Sequence, residues 1–91
     1  MDFCKGLVVY SKAGKDKGEY FTVVKSEEKF VFVANGKRRA LENPKRKNVR
    51  HLAKTNTVLD LNAIQSNKQL SRLLAGFGKR TETNEGGQEL V

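Results

Sequence analysis

The side chains able to do chemistry in this chain are overwhelmingly basic. Lys and Arg number 18 against 10 Asp and Glu, a net charge of +8 and a pI near 9.9. Eight of the bases (Lys37, Arg38, Arg39, Lys45, Arg46, Lys47, Arg50 and Lys54) fall within residues 37–54, where Glu42 is the sole acid. Six of them form two triplets, Lys37-Arg38-Arg39 and Lys45-Arg46-Lys47, with the single proline, Pro44, between them. Residues 1–36 carry six Lys against five acids, and residues 55–91 carry four bases against four acids. The excess charge is therefore concentrated in the middle, where Glu42 alone cannot absorb it in local ion pairs. Cations packed this closely repel one another, and a phosphate backbone relieves the repulsion. Arg adds a planar, forked donor that grips phosphate and stacks on bases, which Lys cannot do.

Catalysis has few candidates. His51 and Cys4 are the only residues of their types, and the acids lack the pairing of acid–base catalysis or the spacing of a metal site. The expectation is a protein that is not an enzyme, with no metal and no cofactor. His51, beside Leu52 at a strand end, reads as structural or as one more phosphate contact. Cys4, ahead of the first apolar run, reads as a small apolar filler. A single cysteine excludes an intrachain disulfide, and residues 1–10 lack the pattern of a secretory signal, so a cytoplasmic protein is expected. No apolar run approaches the roughly 18 residues of a membrane span. The basic segment also lacks the apolar stripe of a helix that lies on a membrane.

The elements that position these bases must come from 91 residues, enough for one domain. Val, Ile and Leu number 19 and Phe five, sufficient for a small core but not for an enclosed substrate cavity with catalytic groups. Seven of nine Val and four of five Phe precede Ala53, while six of nine Leu follow it. That distribution predicts strands first and a helix second. Strands are expected over 5–11, 19–25, 29–34, 37–41 and 49–52. Gly14 and Gly18 shape the turn over 12–18. Asn35-Gly36 makes a hairpin between the third and fourth strands, and 42–48 is a loop around Pro44. Phe21, Phe30 and Phe32 are core candidates. Tyr10 and Tyr20 flank the glycine turn; the expected role is edge packing with a wet hydroxyl, and exposure of one of them for stacking is the alternative. Five short strands with tight turns describe a small, strongly bent sheet or barrel. Beyond it, Ser66 and Gln69 have the spacing of a capping box. Leu70, Leu73, Leu74 and Phe77 follow at helical spacing, one apolar face that should bury against the strands. A further helical turn is expected over 60–65, Gly76 and Gly78 end the main helix, and 79–91 is a disordered tail.

The run Lys5-Gly6-Leu7-Val8-Val9-Tyr10-Ser11-Lys12-Ala13-Gly14-Lys15-Asp16-Lys17-Gly18-Glu19-Tyr20-Phe21-Thr22-Val23-Val24 resembles a KOW motif. In that motif a strand opening at Gly leads through a basic Gly-Lys-Asp-Lys-Gly turn into a second apolar strand, and Gly18 matches its hallmark glycine. Asn35-Gly36, the Pro44 loop (Asn43-Pro44-Lys45-Arg46-Lys47-Asn48) and Val49-Arg50-His51-Leu52 are similar to the small bacterial KOW-domain RNA-binding proteins. Those in turn resemble KOW-containing large-subunit ribosomal proteins of archaea and eukaryotes. The likeness covers residues 3–56, and more loosely the helix to Phe77. It implies an SH3-like β-barrel over 1–56; the residue pattern adds a connecting segment and helix over 57–78 and the tail over 79–91. The likeness also implies binding to RNA, ribosomal RNA in particular, in translation or ribosome assembly; a chain that is monomeric when free is expected.

Carried over by position, the KOW turn sets Lys12, Lys15 and Lys17 against the RNA backbone. With Lys37, Arg38, Arg39, Lys45, Arg46, Lys47, Arg50 and His51 they form the expected RNA-binding set. Glu19 and Tyr20 stand where many KOW segments have a base and a small residue, so this edge of the turn is less basic than usual. KOW domains of transcription elongation factors bind protein instead. The rival reading is accordingly a module that docks on the transcription or translation machinery, ribosomal proteins included. A third reading is a basic accessory protein whose charge serves solubility alone.

Overall fold

A computed structural model describes the backbone of residues 3–86 and the side chains of residues 3–77. Alternation of apolar residues sets the architecture, because successive side chains of a strand point to opposite faces. The strands are β1 (Leu7–Ser11), β2 (Tyr20–Ser26), β3 (Phe30–Ala34), β4 (Lys45–Asn48) and β5 (Leu52–Val58). They form one antiparallel sheet in the order β4-β3-β2-β1-β5. A single 3-10 turn, Val49–His51, joins β4 to β5, so three residues connect the two edge strands of the sheet. Register shifts between Leu7 and Val9 and between Val23 and Lys25 mark bulges, which bend and twist the strands that carry them. Among the described residues no ladder joins β4 to β5. The chain is mainly β, with one C-terminal helix, α1 (Asn67–Gly86).

Two cores follow from the alternation. On one face Leu7, Val9, Phe21, Val23, Val31, Val33 and Leu52 are buried together, with Phe3 and Val49 packed against them. On the other side Val8 and Ala34 meet Leu70 and Leu74 of α1, with Tyr20 and Phe77 at the margin. Helices in proteins draw most of their stability from packing an apolar face, and these leucines supply that face for α1. Ser66 Oγ accepts from the Gln69 amide at 3.1 Å, as the capping spacing predicts, while Gln69 Oε1 reciprocates one residue early, on the Gln65 amide. Asn67 Oδ1 accepts from the Leu41 amide at 2.7 Å and ties the helix start to the 35–44 loop. Gly36 makes that approach possible. Its φ is +80°, and a Cβ there would collide with the Asn67 carbonyl. A 3-10 turn at Leu61–Ala63, capped by Asp60, occupies the short helical turn expected over 60–65.

Several expectations need correction. Residues 37–41 form no strand; β3 pairs instead with β4, inside the segment expected to be a loop. The Asn35 side chain explains this, because its Oδ1 accepts from the amides of Lys37 and Arg39 at 3.0 and 3.1 Å. Those donors are then lost to a ladder. Residues 49–51 are a 3-10 turn rather than a strand, and β5 runs to Val58, past the boundary expected at 56. Helix α1 passes through Gly76 and Gly78 to Gly86. A glycine inside a helix costs about 1 kcal/mol relative to alanine and does not by itself stop one. The expected tail thus overlaps the end of α1 over 79–86, and 87–91 lie outside the described residues. Leu73 is 46% exposed, since the helix packs on the sheet through buried Leu70 and Leu74, with Phe77 partly buried beside them. Phe30 and Phe32 belong to neither core, and Cys4 is exposed rather than a filler. No helix among the described residues is long and apolar enough to cross a membrane.

Candidate nucleic-acid interface

The glycine turn between β1 and β2 is organised by Asp16. Gly18 takes φ +94°, a conformation that favours glycine, and its amide donates to the Ser11 carbonyl at 2.9 Å. The turn folds Asp16 inward, where it is 6% exposed. Ser11 Oγ and Lys47 Nζ each donate to Asp16 Oδ1 at 2.7 Å, and Lys45 Nζ donates to Oδ2 at 3.2 Å. Lys47 Nζ also donates to the Ala13 carbonyl at 3.1 Å. Burial alone raises the Asp16 pKa, but the bonds from Lys47, Ser11 and Lys45 outweigh it and hold the carboxyl at about 2. The loop is thereby stapled to β4.

The period of a strand splits the second basic triplet. Val31 pairs with Lys47 and Val33 with Lys45, and directly opposed residues share a face. Lys45 and Lys47 therefore turn inward to Asp16. Arg46, opposite Phe32, turns outward, where its guanidinium carbon lies 3.8 Å from the centre of the Phe30 ring. Lys47 is 7% exposed, so its ammonium is a structural cation rather than a surface one. The first triplet is presented differently. Asn35 closes the loop by its bonds to Lys37 and Arg39, and its Nδ2 donates to Glu19 Oε1 at 3.1 Å. Arg38, 69% exposed at its side chain, pairs with the other Glu19 oxygen at 3.2 Å.

These placements bring three separate segments together. Lys15 of the glycine turn, Arg38 and Arg39 of the loop and Lys45 of β4 line one cleft of about 240 Å³, with Asp16, Glu19 and Phe21. Four cations face two carboxylates there. A neighbouring groove of about 370 Å³ shares Arg38 and Glu19, adds Lys37, and runs along α1 at Ser71, Leu74 and Ala75. Lys12 and Lys17 are exposed on the glycine turn. The Lys12 amide donates to the His51 carbonyl at 2.8 Å, which sets exposed Arg50 and His51 beside the start of the turn. Asn48 Oδ1 fixes that 3-10 turn by accepting from the Arg50 amide at 2.9 Å.

Of the expected set, the cleft collects Lys15, Arg38, Arg39 and Lys45. Lys37 is in the adjoining groove, and Lys12, Arg50 and His51 form a second group. Lys47 is buried beneath. Among the described residues Glu42 forms an ion pair with neither triplet, but acids distant in the chain reach part of both: Asp16 takes Lys45 and Lys47, and Glu19 takes Arg38. Tyr10 and Tyr20 pack on each other with ring centres 5.1 Å apart, and Tyr20 meets Phe77 edge-on at 5.0 Å. Phe30, Phe32 and Lys25 escaped notice as surface residues. The signal was available, since burying Val31 and Val33 forces the residues beside them outward. Among the described residues no three His, Cys, Asp or Glu side chains cluster as metal ligands. No protein-family model and no curated protein matches the chain.

Proposed function

We propose that this protein is an RNA-binding module of the KOW type, contacting ribosomal RNA in translation or ribosome assembly. The observation that carries the reading is the convergence of Lys15, Arg38, Arg39 and Lys45 on one cleft. Residues up to 30 positions apart in the chain supply its cations, which outnumber the two carboxylates of the cleft, and a phosphate backbone engages them jointly. Phosphate contacts of this kind position an RNA, while base faces and RNA shape supply selectivity. The bent sheet reads as the SH3-like barrel that the KOW resemblance implies. Its edge strands are three residues apart in the chain, and all its apolar inward residues share one interior. Lys47 acts beneath the surface, holding the glycine turn so that Lys15 faces the cleft.

Crosslinking the protein in cells and sequencing the attached RNA tests this reading. Enrichment of ribosomal RNA is expected, with loss of the crosslinked RNA on replacing Lys15, Arg38 and Arg39 by Gln. Recovery without RNA, indifferent to those replacements, would instead favour a docking module that binds protein.

A further inference from the structure

The outer face of β2, β3 and β4 has a composition that the cleft lacks. Phe32 stands opposite Lys25 on β2 and Arg46 on β4, and Phe30 lies two residues along on the same face of β3. Both rings are partly exposed and belong to neither core. Each lies beneath a cation, with Arg46 over Phe30 at 3.8 Å and Lys25 Nζ 5.6 Å from the Phe32 ring centre. Helix α1 covers this side of the sheet at Val8 and Ala34. Glu27 stands 3.7 Å from Lys25, but both partners are well exposed, and such a pair contributes little.

We propose that this face is a stacking platform for unpaired RNA bases, with Arg46 as its central plane. The inference rests on the RNA-binding reading and adds the class of RNA, a single-stranded segment with splayed bases. A guanidinium seated on Phe30 is held in place on one side and keeps its other side for a base, while its edges still donate to phosphate. Phe32 offers a second π face beside it, and Lys25 a second cation. Unpaired bases stack on aromatic and Arg planes, whereas a duplex keeps its base faces inside its own stack. The cationic frame suits a nucleic acid strand, which brings π faces and negative charge together.

The test measures fluorescence anisotropy with a labelled, unstructured RNA 12-mer and with an RNA duplex of equal length, at one salt concentration. Arg46→Lys keeps the charge and removes the plane; Phe32→Leu keeps apolar volume and removes the ring. Each should lower the ratio of single-strand to duplex affinity about tenfold, with the folded state checked by thermal melting. The triple change Lys15→Gln, Arg38→Gln and Arg39→Gln should weaken both ligands and leave the ratio unchanged. An unchanged ratio in Arg46→Lys, with RNA still bound, would overturn the platform and leave the RNA-binding reading standing. Failure of the unaltered protein to bind either RNA would overturn both.

Discussion

Replacing Lys47 by Met should cost about 2–3 kcal/mol of stability. Lys47 is 7% exposed, and its ammonium supports both the Asp16 carboxylate and the Ala13 carbonyl. Removing one member of a buried pair typically costs about 3–5 kcal/mol, because the remaining charge stays buried. Here Ser11 and Lys45 still donate to Asp16, so its charge is only partly uncompensated and the cost falls just below that range. Acid dependence gives a second reading of the same contact. The Asp16 carboxyl sits at about 2 against an ordinary 3.8. That shift corresponds to about 2 kcal/mol of stability at neutral pH. Because the folded value is the lower one, this contribution is present above pH 4 and is lost as pH falls toward 2. Urea unfolding at pH 7, 4 and 2.5 measures both effects. In Lys47→Met the Asp16 carboxyl moves back up, so less stability should be lost between pH 4 and 2.5. The double variant Asp16→Asn, Lys47→Met should cost less than the two single changes combined. A cost below about 0.5 kcal/mol for Lys47→Met, with unaltered acid dependence, would refute the buried staple.

The helix face is tested by Leu70→Ala, which should cost about 3 kcal/mol by opening a cavity at a fully buried site. Leu73→Ala should change urea stability by less than about 0.5 kcal/mol, as exposed sites do. The Thr22 hydroxyl is buried without a hydrogen-bond partner, so Thr22→Val should stabilise by about 1 kcal/mol in the same assay. Gly36→Ala meets both a positive φ and the Asn67 carbonyl. It should cost more than about 2 kcal/mol and lower the thermal midpoint by over roughly 8 °C.

Features set by local pattern were legible in the sequence. The alternation in β1 to β3, the glycine turn and the Ser66 cap all depend on residues a few positions apart. Where partners lie far along the chain, the pattern misleads. Lys45-Arg46-Lys47 beside Pro44 looks like a solvated loop, and it becomes a strand only because β3 lies opposite and Asp16, about 30 residues earlier, receives two ammonium groups. Asn35-Gly36 has the chemistry of a tight hairpin, yet the Asn35 side chain competes for the amides that a hairpin ladder would use. Leu73 satisfies a helical period and still faces solvent, since which part of an apolar arc is covered depends on the sheet beneath it. The segments that bear the candidate site were visible as charge. Their division into a cleft, a buried staple and an outward Arg46 on Phe30 was not, because charge counting ignores strand parity.

The central claim is that cations from three segments grip RNA phosphates at one cleft, and the salt dependence of binding to a structured RNA tests it most directly. On the order of four neutralised phosphates predict a log–log slope of about −3 to −3.5. Replacing Lys15, Arg38 and Arg39 by Gln, with the Lys47 staple intact, should flatten that slope by about 2 units and weaken different RNA sequences alike. A slope that stays near zero, or one that the triple replacement leaves unchanged, would contradict the account.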